Sequence, residues 1–102
     1  MKTPILTREN LTSNLDVALA QCRHELDRAR QDNRGDALIR DLQYGLQALD
    51  LIYSELHGGP QRPKGQRSAM FTRYVIDEEE RIVMPAELRD LIVQIENRYS
   101  RF

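Results

Sequence analysis

Cys22, His24 and His57 are the only cysteine and histidines in the sequence, so they bound the nucleophilic and metal chemistry it can carry. Cys22 and His24 stand in a stretch with helical spacing, which puts their side chains about 200° apart on an α-helix. They cannot ligate one metal locally, and no Cys pair or His pair has zinc-finger spacing. A nucleophilic Cys22 needs a histidine beside it in a cleft. Its place on an apolar stripe assigns it to packing instead, and leaves His24 on the surface. His57 ends a second helical stretch, where a cation complements the negative helix terminus.

Charged runs offer two more candidates. Asp77-Glu78-Glu79-Glu80 lacks the glycine and terminal glutamate of a calcium loop and reads as a solvated acidic tip. Arg62, Lys64 and Arg67 are the candidate contacts for nucleic-acid phosphates, giving weak and salt-sensitive affinity. Gly58-Gly59-Pro60 follows a helical stretch and does not precede one, so it is no phosphate cradle. With no catalytic constellation, the expectation is a chain that is not an enzyme and takes no cofactor and no metal.

Fifteen basic and sixteen acidic residues leave a formal charge of −1. A domain living on phosphate contacts is usually strongly basic, so nucleic acid is the lesser expectation. With four Tyr and no Trp, the chain also lacks the aromatic density of a base-stacking surface. A lone cysteine makes no intramolecular disulfide, and no signal-peptide core or membrane span is visible, so a cytoplasmic protein is expected. The 102 residues suit one domain, of a size that buries somewhat over ~60% of the unfolded chain's surface.

The elements that must position these residues follow from periodicity. Leu11, Leu15, Ala18, Leu19, Cys22, Leu26 and Ala29 make one stripe on a helix running from about Arg8 to Gln31. Thr7 can cap an early start, and Thr12 or Ser13 a later one. Asp32-Asn33-Arg34-Gly35 supplies the stop, with Gly35 free to turn left-handed, and Asp36 can cap the next helix.

That second helix, Asp36 to Leu56, carries Leu38, Leu42, Gly45, Leu46, Leu49, Ile52, Tyr53 and Leu56, with Ile39 beside them. Tyr44 and Leu51 lie off this stripe, so the apolar arc is wider than one neighbouring helix needs. Either a symmetry mate buries them in a homodimer, or the C-terminal helix covers them within one chain. Gly45 in the stripe suggests close approach of another backbone, or is simply tolerated at a cost of up to ~1 kcal/mol. The two helices are expected to form an antiparallel hairpin over about 8–57, followed by a flexible basic loop over 58–68.

In 70–102, Arg73-Tyr74-Val75-Ile76 and Arg81-Ile82-Val83-Met84 read as a short β-hairpin with an acidic tip. A helical reading through Phe71, Tyr74, Val75, Glu78 and Ile82 is the alternative. Pro85 suits a helix start and Glu87 its positive end. The helix that follows presents Leu88, Leu91, Ile92, Ile95, Tyr99 and Phe102 inward. Within this region Glu80–Leu91 resembles the strand–proline–helix segment of the swapped-hairpin DNA-binding family of AbrB and MazE type. The chain departs from that pattern by Glu-Glu in place of a glycine turn, by the missing second half of the barrel and by the preceding helical hairpin. No functional residue is carried over.

The expected fold is therefore mainly α with a minor α+β part: helical hairpin, basic loop, β-hairpin and C-terminal helix in one domain. The expected function is a small protein-binding regulatory module, an adaptor, antiactivator, inhibitor or chaperone, that masks a surface of a partner protein or self-associates. Tyr44, Leu51, Tyr74 and Ile76 are its candidate contacts. The alternative is a small DNA-binding regulator using Arg62, Lys64, Arg67 and the ribbon.

Overall fold

The computed structural model describes residues 8–33, 35–58, 62, 63, 67 and 70–101. Thr7, Lys64, Phe102 and most of the expected basic loop therefore lie outside the described residues. Helix α1 is Arg8–Gln31, α2 is Asp36–Leu56, α3 is Met70–Asp77 and α4 is Ala86–Arg101; a 3-10 turn, Glu79–Arg81, follows α3.

The seven-residue stripe of α1 is buried throughout and packs on α2 and α4. α2 buries Leu42, Gly45, Ala48, Leu49, Ile52 and Leu56. Tyr53 departs from the expected stripe: it is exposed, with its ring 4.1 Å from that of His57. His57 sits at the C-terminal cap as expected, and its N–H donates to the Tyr53 carbonyl at 3.0 Å. Between α1 and α2 the left-handed residue near the end of α1 is Asn33, with φ 52°. Gly35 uses its freedom two residues later, as the N-cap of α2 with φ 105°, and Asp36 falls in the first turn, so the cap is not an Asp36 side chain.

Two tertiary hydrogen bonds set the helix directions. The Val83 N–H reaches the Asp41 carboxylate near the start of α2 at 2.7 Å. The Tyr99 hydroxyl donates to Glu55 near its end. α2 and α4 thus run parallel, and the chain must return between them. α3 makes that return: it begins beside Glu96 of α4 and runs back toward Asp41, packed on both α2 and α4.

No strand forms among the described residues, so the β-hairpin and the minor β component expected over 70–84 are not there. The first limb is α3, and the second, around Ile82, has extended backbone angles without a pairing strand. The reason lies outside the segment. Glu96 accepts the Phe71 N–H at 2.9 Å, and the Thr72 N–H at 2.6 Å and hydroxyl at 2.8 Å. A buried carboxylate thereby satisfies first-turn amides that no residue of a helix can satisfy internally, and its charge favours the positive helix end. Once the helix is started, Phe71, Tyr74 and Val75 share its inner side, and this packing outweighs the β preference of Tyr, Val and Ile. The alternative helical reading describes 70–77 but stops short of Ile82.

Gly45 is explained by the same packing. A Cβ there would lie 2.8 Å from Ile92 Cδ1 and 3.3 Å from the Phe71 ring. The close neighbours are side chains of α4 and α3, not a backbone. α4 buries Leu88, Ile92, Ile95 and Tyr99 as expected, with Leu91 half-buried. Pro85 immediately precedes it and its carbonyl accepts the Arg89 N–H at 3.0 Å. The strand half of the likeness over Glu80–Leu91 does not form.

Candidate functional site

The return segment from Met70 to Met84 carries the candidate site, and its inner side is fastened by one residue. Asp41 is fully buried. One of its oxygens accepts the Tyr74 hydroxyl at 2.6 Å and the other accepts the Val83 N–H at 2.7 Å. A single carboxylate on α2 thus holds both limbs of the segment. Arg40 completes the arrangement, donating from Nε to the Tyr74 oxygen at 3.0 Å and lying 3.7 Å from Asp41. Burial, then the hydrogen bond to and charge of Asp41, push the Tyr74 phenol above its ordinary value, with Arg40 opposing. Tyr74 is therefore a neutral donor at physiological pH.

With the inner side fixed, the outer side is defined. Arg73, Ile76 and Asp77 share the solvent side of α3, spaced by three and four. Ile76 is 69% exposed and Val83 55%. Between them in sequence stand Asp77, Glu78, Glu79 and Glu80, of which Glu78 lies 3.6 Å from Arg81. An open groove of about 650 Å³ runs beside α3, lined by Tyr44, Met70, Thr72, Arg73, Tyr74, Ile76, Asp77 and Glu78. The Tyr44 and Tyr74 rings stack there, with centroids 4.3 Å apart and planes within 10°.

Three of the four contacts expected from sequence, Tyr44, Tyr74 and Ile76, are brought together in this groove. Tyr44 is half-buried, with Tyr74 of α3 stacked on it. Leu51 lies two turns further along α2, is 39% exposed, and does not line the groove. Val83 was missed by sequence reasoning because it was assigned to a strand. Asp41, Glu55 and Glu96 were missed as well. Their signal was carboxylates at core spacing, for Asp41 falls three residues after Leu38, Glu55 three after Ile52 and Glu96 four after Ile92.

The described cations of the basic loop, Arg62 and Arg67, face inward. Arg62 pairs with buried Glu55 through Nε, and its Nη2 lies 3.3 Å from the second carboxylate oxygen. Arg67 donates to the carbonyls of Arg62 and Tyr99, each at 3.1 Å, and stacks over the Tyr99 ring at 4.6 Å. Burial by itself would raise the Glu55 pKa; hydrogen bonds from Arg62 and Tyr99, with the charges of Arg62 and Arg67, outweigh it and hold the group below the ordinary carboxylate range. Lys64 lies outside the described residues.

Cys22 is buried in the core, and its thiol donates to the Leu42 carbonyl at 3.2 Å. Burial first, then the charge of Asp50, push its pKa to about 11, so it is a protonated packing residue at neutral pH. His24 is exposed. Among the described residues no three His, Cys, Asp or Glu side chains are grouped to hold a metal ion, and no helix is long and apolar enough to cross a membrane. Comparison with protein-family models, curated proteins and solved structures found no match.

Proposed function

We propose that this chain is a non-enzymatic protein-binding regulatory module that masks a surface of a partner protein with the outer side of its return segment. The observation that carries this reading is Ile76, a large aliphatic side chain 69% exposed on a helix whose inner side is fastened by buried Asp41 and Glu96. Anchoring a short helix from beneath, with an apolar residue outward, presents a contact already ordered before a partner arrives. Preorganisation of this kind reduces the entropy lost on binding. Single exposed apolar residues are common on surfaces; here one sits on the rim of a groove lined in part by stacked tyrosines, the aromatic character typical of interface cores.

The DNA-binding alternative finds less support. Arg62 and Arg67 are engaged with Glu55 and Tyr99, and using them on phosphates would expose a buried carboxylate.

The test is affinity capture with the wild-type chain and with Ile76→Asp, Val83→Asp and Val17→Asp, washed at high salt. Val17 is a 49% exposed apolar residue on α1 and serves as the control. A stoichiometric protein lost with the first two variants and kept with the third is expected. Retention by all three variants would refute the assignment of this surface.

A further inference from the structure

We propose that the occupant of the α3 groove is a basic segment of a partner protein that seats an apolar side chain beside Ile76 and directs its cations onto the acidic turn. This rests on the protein-binding reading above and names the chemistry of the partner. The groove supplies two kinds of contact in a fixed order. Its lining includes the stacked Tyr44–Tyr74 pair, with the Tyr74 hydroxyl engaged by Asp41. Beyond Ile76, where α3 gives way to the 3-10 turn, come Asp77, Glu78, Glu79 and Glu80.

Charge decides between occupants. At the end of α3 the acids Asp77, Glu78, Glu79 and Glu80 stand together and outnumber the neighbouring cations, Arg73 and Arg81 of the same stretch and Arg40 of α2 beside Tyr74. An acidic segment would meet this excess as repulsion; a basic one is drawn by it. Lys and Arg suit the lining as well, because their aliphatic stems lie on apolar surface while the charged head reaches a rim, and their cations are attracted to aromatic faces. In a second copy of this chain the described cations of the basic connection, Arg62 and Arg67, are held by Glu55 and Tyr99.

A random-peptide display library panned against the full chain tests this. The selected peptides are expected to combine Lys or Arg with a bulky apolar residue. The affinity of a synthetic consensus peptide should fall at least ~30-fold on Ile76→Asp, the loss typical of a central contact. Glu79→Lys with Glu80→Lys should reduce it and flatten its salt dependence, and Val17→Asp should leave it unchanged. All these positions are exposed, and circular dichroism confirms that each variant is folded. Acidic or neutral peptides that still depend on Ile76 would overturn the basic occupant while leaving the protein-binding reading intact. Peptides indifferent to Ile76→Asp, or no selection at all, would overturn both. A dimer in sedimentation that Ile76→Asp dissociates would give the groove to a second copy and also overturn the proposal.

Discussion

Three buried carboxylates do most to determine how this chain is tied together, and each is tied to a different segment. Asp41 holds α3 and the extended limb after it, Glu55 holds the connection after α2, and Glu96 caps α3. Buried carboxylates are tolerated because every one is hydrogen-bonded; no buried side-chain nitrogen or oxygen among the described residues lacks a partner. Removing one leaves its own donors stranded. Asp41→Ala is expected to destabilise the fold by about 1–3 kcal/mol, the range for orphaning buried polar groups, and Tyr74→Phe by less, as read from chemical denaturation. Glu55 adds a pH dependence. Its folded pKa lies below that of the unfolded chain, so the stability it contributes is complete above the ordinary carboxylate range and lost as pH falls through the depressed value. The difference in melting temperature between wild type and Glu55→Gln should hold steady near neutrality and shrink in acid. A difference that grows with acidification would contradict the assignment.

Among the elements, α1, α2 and α4 were legible because each declares itself by apolar residues every three or four positions, a signal contained within the element. α3 was not. Arg73-Tyr74-Val75-Ile76 has the local composition of a strand, and what makes it helical is Glu96, twenty-five residues away in sequence. Local propensity is a weak prior that such tertiary contacts override. The candidate site was half legible for the same reason. Tyr44 announced itself as an apolar residue off the main stripe of α2, and Tyr74 and Ile76 as residues of an expected ribbon, but the stacking that unites Tyr44 with Tyr74 depends on α3 being a helix. Glu96→Ala should therefore act on one element. Hydrogen exchange of the Phe71 and Thr72 amides is expected to accelerate well before that of the α2 amides, while most of the helical circular dichroism persists. Uniform acceleration across α1, α2 and α4 would show that α3 has no separate cap-dependent stability.

Among the described residues four helices pack together, α1, α2 and α4 with the short α3 against α2 and α4, and the parallel course of α2 and α4 creates the surface proposed for binding. Because α2 and α4 run the same way, the chain must travel back between them, and the returning stretch is too short to be buried on all sides. Sequence periodicity could show three packed helices and an acidic turn, but not that the second and fourth are parallel, since direction is set by Asp41–Val83 and Glu55–Tyr99. A photo-crosslinking amino acid placed at position 76, with a second copy of the protein carrying it at position 17, tests the binding surface most directly when each is irradiated in the source cell. A discrete adduct to one protein from position 76, and none from position 17, is the predicted result. An adduct from position 17 alone, or none from either, would contradict it.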